Sequence, residues 1–221
     1  LVRGRPEGTY NTRLSEGFHR YITQVSGGFL LSEPVVYRDE GRPEGTEALK
    51  ALYRKAGAEQ ADTELVTQQA GFGRGVTLFY EGEGGLKLCA PDPRSAFVVY
   101  DDTVEHRPLM GVLLSAERDA RGRAAGGMAT LYLPGKTLCW RLRRGIPEGE
   151  PTRENNPFTR VPMVEYRNNE EERCDFEEVL GQIDAYDLLG SDRVNDRIQF
   201  ADALLVLTGV AGVGTSEDIY D

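Results

Sequence analysis

An α+β fold, with N-terminal helices, a central antiparallel β region and a long C-terminal helical segment, is what three features of the sequence predict. Apolar residues recur at steps of three and four near both ends, short β-type runs broken by turn residues fill the middle, and no strand–helix–strand alternation occurs. The pattern divides the chain into a helical part over 11–74, a mainly β part over 76–166 and a helical part over 175–208, all within a single domain spanning 1–221. With 39% apolar and 28% charged residues, the chain has the composition of a folded protein with a real core, and not that of a disordered one.

Leu14, Phe18, Tyr21 or Ile22, Val25 and Phe29 fall on one face of a first helix, which Asn11 or Thr12 would cap. It must stop before Pro34, because the residue preceding a proline is driven out of the α region, and Val35-Val36-Tyr37 then reads as a short strand. After a loop with Gly41, Pro43 and Gly45, Thr46 caps a helix to about Ala56 with Leu49, Leu52 and Tyr53 on one side, and Gly57 ends it. Asp62 opens another helix running toward Gly71. Strands are expected at 76–80, 86–89, 96–100, 109–116, 128–133, 137–142 and 162–166, with glycine-rich turns between them. Asp175 and Glu178 form a capping box for the last helical stretch, which Gly190-Ser191-Asp192 either breaks or bends. Val194, Ile198, Ala201 and Leu205 then share a face up to Gly209, and the stripe continues through Leu204, Leu205 and Leu207 on more than one face.

Charge and cysteine content exclude several classes of function. With 36 acidic against 26 basic residues the formal charge is −10, which opposes tight binding by phosphate neutralisation. Cys89, Cys139 and Cys174 are odd in number and far apart, so they read as buried reduced thiols and not as a disulfide framework or metal knuckle. No run approaches the ~20 apolar residues of a membrane span, and no apolar secretion signal opens the chain, which points to a soluble intracellular protein. The start at Leu1 without methionine and the acidic ending at Asp221 suggest a piece of a longer polypeptide.

A search for chemistry finds no reactive constellation, so no catalytic, cofactor-binding or metal residue is expected. Gly71-Phe72-Gly73-Arg74-Gly75 has glycines suited to a phosphate, but it follows a helix and precedes a strand, the reverse of a dinucleotide fingerprint, and so reads as a turn. His19 and His106 are far apart and belong to no HExxH. Asp101-Asp102 is a turn, because neighbouring strand residues point to opposite faces and share ligation poorly. Glu170-Glu171-Glu172 is explained by the positive end of the following helix. Arg141, Arg143 and Arg144 beside Trp140, with Arg118, Arg121 and Arg123 in a nearby loop, make the one cation–aromatic alternation; a solvated edge or subunit contact is the commoner origin of such a run than a nucleic-acid surface.

One resemblance is specific. Pro157-Phe158, Val161-Pro162, Glu165-Tyr166, Asn168-Asn169-Glu170-Glu171, Asp175-Phe176-Glu177, Ile183 to Asp187, Ser191-Asp192, Asn195-Asp196 and Phe200 to Gly209 form an ordered series that resembles the portal proteins of siphovirus-type phages. Weaker similarity runs upstream through Gly28 to Pro34, Asp92-Pro93, Asp101 to Thr103, Leu131-Tyr132 and Trp140. The resemblance implies a structural, non-enzymatic subunit of a ring, usually a dodecamer, at one capsid vertex. It implies a wing-like domain without stem, clip or crown, and no cofactor. The implied partners are copies of itself, the terminase motor, capsid and head–tail connector proteins, and double-stranded DNA passing without sequence recognition; no membrane is involved. The implied location is the virion, with assembly in the host cytoplasm. The competing readings are a head–tail adaptor or other capsid interaction module, and a carboxylate- or metal-dependent phage hydrolase.

Overall fold

The computed structural model describes residues 12–118, 120–122 and 124–200, and places the chain in two compact units, Gly17–Val179 and a second made of Leu1–Glu16 with Leu180–Asp221. Helices and antiparallel sheets together confirm the α+β class.

The larger unit opens with three helices: α1 (Phe18–Leu30), α2 (Pro43–Ala56) and α3 (Ala58–Phe72). α2 starts at Pro43, whose fixed φ suits a first helical position and whose missing N–H costs nothing there. Thr46 is therefore inside the helix, with its hydroxyl donating back to the Arg42 carbonyl, and does not cap it. Glu44 in the first turn and Arg54 and Lys55 in the last complement the helix dipole. Gly57, at φ 81°, ends α2 and begins α3, so α3 starts four residues before Asp62. Residues 34–39 have no regular secondary structure and pair with no strand among the described residues, so the strand expected at Val35-Val36-Tyr37 does not form.

Eight strands follow: β1 (Arg74–Gly82), β2 (Gly85–Cys89), β3 (Ala96–Tyr100), β4 (Pro108–Arg118), β5 (Ala124–Leu133), β6 (Lys136–Arg143), β7 (Ile146–Asn155) and β8 (Met163–Arg167). They form a three-stranded sheet in the order β2-β1-β8 and a five-stranded sheet in the order β3-β4-β5-β6-β7, antiparallel throughout. The strand β7 was not expected. Its sequence carries Pro147, Gly149 and Pro151, tolerated because β7 is an edge strand whose outer amides need no ladder partner.

Between the sheets lies the core, Val76 and Leu78 of β1 and Met163 of β8 against Ala96 and Val98 of β3, with Val161, Leu113 and Tyr132 alongside. Val76 is 0% and Met163 2% exposed, and side chains buried this completely each stabilise the fold by ~1.5–3 kcal/mol. β4 crosses Met163 at Gly111, where a β-carbon would come within 2.8 Å of the Met163 Cβ. The opposite face of β1 packs on α3 at Gly75, where a β-carbon would lie 2.7 Å from Leu65 Cδ1. One strand is thus covered on both faces, and the close approaches fall on glycine.

Of the smaller unit, residues 12–16 and α4 (Leu180–Phe200) are described. α4 runs unbroken through Gly190-Ser191-Asp192, and a 3-10 turn at Glu177–Val179 precedes it in the chain. Asp175 caps nothing: its carboxylate accepts from Asn168 Nδ2 at 2.8 Å. Residues 12–17 are not helical, so Thr12 does not cap α1, and the other expected cap, Asn11, lies outside the described residues. The expected continuation through Ala201, Leu204, Leu205 and Leu207 to Gly209 lies outside the described residues.

Candidate functional site

Each residue cluster with chemical promise has a structural occupation. Gly71 to Gly75 is the α3-to-β1 turn, with Gly73 in the left-handed region at φ 77°. The Gly73 amide donates to Gln69 O at 2.8 Å and its carbonyl accepts from Asn168 N at 2.8 Å. Asp101 accepts from the Thr103 hydroxyl at 2.8 Å and the Arg107 amide at 2.9 Å, and these donors hold its carboxyl below the usual range. That is a turn and not a ligand pair. His19 packs edge-on against Phe176 with ring centroids 6.0 Å apart, and His106 sits in the 101–107 turn at φ 44°.

The acidic run Glu170-Glu171-Glu172 does not sit at a helix N-terminus, since α4 begins only at Leu180. Its residues turn the chain over Gly73; Glu172 Oε1 is 3.2 Å from Arg167 Nε. The basic run reaches one end of the five-stranded sheet, where Arg143 Nη1 lies 3.4 Å from Glu148 Oε1 of β7 and Arg141 stands opposite Glu148 in the register. Arg118 Nη1 donates to the Gly122 carbonyl at 3.0 Å, and Arg123 lies outside the described residues. This is a charged sheet edge answered in part by its own neighbours. The three cysteines are free thiols, half-buried where full burial was expected; burial, with Glu64 nearby, pushes the Cys89 thiol up. Among the described residues no group of three or more His, Cys, Asp or Glu could hold a metal, and no helix is long and apolar enough to cross a membrane.

The segment after α1 closes an open groove of about 440 Å³ against α2 and α3, lined by Leu31, Val35, Val36, Tyr37, Tyr53 and Asp62 among others. The rings of Tyr37 and Tyr53 lie 5.2 Å apart. Burial raises the Asp62 carboxyl above its ordinary 3.8. A raised acid binds its proton more tightly in the folded state, so ionised Asp62 lowers stability once pH exceeds its unfolded value, ~3.9. Asp62→Asn should therefore melt higher than wild type at pH 7, with the gap closing as pH falls through the folded value toward the unfolded one. Scanning calorimetry at pH 3 and pH 7 checks this; an equal gap at both refutes it.

Two features remain, an exposed apolar stripe and a polar ladder. The first is the apolar stripe of α1. Phe18, Tyr21, Val25 and Phe29 fall within about 80° of arc at 3.6 residues per turn. Periodicity placed these residues on one face, and they are 40%, 65%, 52% and 86% exposed. α1 instead meets α3 through its small side: Thr23 is buried, and a β-carbon on Gly27 would lie 3.8 Å from Val66 Cγ1. Small residues let the two backbones come close, while Tyr21, Val25 and Phe29 stay more than half exposed. A contiguous apolar patch of this kind marks an interaction surface.

The second is a polar ladder on α4. Asn195 Oδ1 accepts from Thr12 N at 2.8 Å while its Nδ2 donates to Thr12 O at 3.1 Å. Ser191 Oγ accepts from Leu14 N at 2.9 Å, and Asp187 Oδ1 from Glu16 N at 2.9 Å. The spacing explains the fit. Positions four apart on a helix advance ~6 Å, and alternate residues of an extended chain advance ~6.6–6.8 Å. A helix face thereby takes the place of a neighbouring strand for residues 12, 14 and 16. The sequence held this signal as three polar residues spaced by four, Asp187, Ser191 and Asn195, overlapped by a glycine that suggested a break.

Among the described residues the distinctive side chains are spent on turns, packing and backbone capture, as in a structural protein. Comparison with family models supports that class, matching residues 5–221 to the phage portal proteins, SPP1 Gp6-like, a family of structural proteins of the bacteriophage capsid. The chain belongs to the SPP1 Gp6-like phage portal protein family. A search of curated proteins found no match. Several residues that carried the resemblance have structural work: Asn168, Asn169 and Asp175 stitch the loop over Gly73, Val161 belongs to the core, and Asp187, Ser191 and Asn195 make the ladder.

Proposed function

We propose that this chain is the wing region of a portal subunit, a single portal wing-like domain over 1–221, which assembles with copies of itself into a closed ring at the capsid vertex. The ring is the conduit for DNA during packaging and ejection, and the force comes from a separate terminase motor docked on it. Stem, clip and crown are supplied by other parts of the polypeptide. Capsid and head–tail connector proteins are its remaining partners, and the virion is its final location.

The observation that carries this reading is the exposure of Tyr21, Val25 and Phe29 on one face of α1 in a member of a portal family, since an exposed apolar face suits a subunit repeated around a ring. The formal charge of −10 is compatible with the conduit role. Each phosphate a wall neutralises adds counterion-release affinity and so friction against sliding DNA. Electron microscopy of the complete portal polypeptide should show closed rings with a central channel. A polypeptide that stays monomeric at every concentration and salt tested, or that turns over a substrate alone, overturns the proposal.

A further inference from the structure

We infer that residues 12–16 are an exchangeable arm, and that in the assembled protein the ladder of one copy, Asp187, Ser191 and Asn195, holds the arm of a neighbouring copy. This rests on the ring reading above.

The first support is what the ladder recognises. All four of its hydrogen bonds to the arm go to main-chain atoms, the amides of Thr12, Leu14 and Glu16 and the carbonyl of Thr12. The side chains of Arg13, Leu14, Ser15 and Glu16 are exposed. A helix that reads only backbone cannot distinguish its own arm from an identical arm brought by another copy, so exchange loses none of these bonds.

The second support is that the ladder must be filled. Asn195 is 4% exposed, and its amide is satisfied through Thr12 on both its oxygen and its nitrogen. A buried amide left without partners is strongly disfavoured, so every copy requires an occupant. Around a closed ring, each arm given away is matched by one received, and all ladders stay filled.

The third support is the connection. The arm joins α1 at Gly17, which has no atom within 4 Å of where a β-carbon would stand, and α1 has no side-chain cap tying its start. Arm and α4 belong to a compact unit separate from Gly17–Val179. The arm therefore joins the larger unit in the chain at one glycine whose β-carbon position is open. Once a ring brings copies together, the neighbour's ladder is presented at high effective concentration.

The test uses mixed rings of the complete portal polypeptide. One preparation carries Leu14→Cys and the other Gly190→Cys, positions chosen because a β-carbon on Gly190 would lie 3.9 Å from Leu14 Cδ1. The two are co-assembled, rings are verified by electron microscopy, and a short bismaleimide is added. The polypeptide with only its native cysteines sets the background. Covalent dimers on a denaturing gel, well above that background, are the expected result. Verified rings that give only background dimers, while the double variant closes its crosslink within single chains, overturn the exchange and leave the ring reading standing. Failure of the wild-type polypeptide to form rings overturns both. Should Gly190→Cys fail to fold, the exposed pair Ser15→Cys and Leu188→Cys repeats the test.

Discussion

Gly73→Ala is expected to destabilise the larger unit by ~2–5 kcal/mol, whereas Gly57→Ala, at the other end of the same helix, should cost only about 1–2 kcal/mol. Both glycines are left-handed, at φ 77° and φ 81°, so the backbone conformation opposes a side chain equally at each. They differ in what surrounds them. A β-carbon at Gly57 meets nothing within 4 Å, whereas one at Gly73 would sit 1.8 Å from the Glu172 carbonyl oxygen and 2.4 Å from its carbon. Backbone cannot yield as a flexible side chain does. The 168–175 loop would have to lift, straining the bonds from Asn168 N to Gly73 O and from Asp175 N to Ala70 O. Urea unfolding of both variants beside wild type reads the difference; with slopes of ~1–3 kcal/mol/M, the Gly73 midpoint should fall by about 1–2 M or more. Equal shifts would show that the loop does not bear on this turn.

Phe29→Asp combined with Val25→Asp should abolish ring formation by the complete portal polypeptide while leaving its melting temperature nearly unchanged. Phe29 is 86% exposed and Val25 52%, and surface substitutions away from special features change stability by within about 0.5 kcal/mol. Were α1 packed through this stripe in the isolated chain, the same double change would unfold it. Loss of assembly with retained melting separates an interface role from a core role, and analytical ultracentrifugation with calorimetry measures both. Rings that persist with the double variant would show that the stripe lies outside the subunit contact.

Local features were the ones legible in the sequence. Gly57 was read correctly as a helix end and Gly71 to Gly75 as a helix-to-strand turn, because the left-handed conformation is a property of one residue and its immediate neighbours. Alternating β-branched and aromatic residues placed β1, β3 and β6 to within a few residues. The strand β7 escaped because Pro147 and Pro151 contradict a central strand, and only the completed sheet reveals that this one is at the edge. The α1 stripe was recognised as one face. A hydrophobic period tells which residues share a face; it carries no information on which face another element covers, and here it is Gly27 that lies against α3. The candidate site was less legible still, since the ladder depends on residues 12–16 lying against positions more than 170 residues away.

What the sequence determined unaided was the type of most elements, the α+β class and, through the ordered motifs from Pro157 onward, the portal family. Periodicity, turn chemistry and motif order are all written along the chain. Tertiary structure alone decided that β1 is buried on both faces, that β7 closes a sheet, that α1 turns its aromatic side outward, and that α4 captures a backbone in place of a strand. Each of these is a relation between segments remote in sequence, fixed by which surfaces fit closely enough to exclude water, and no single stretch of residues encodes such a fit.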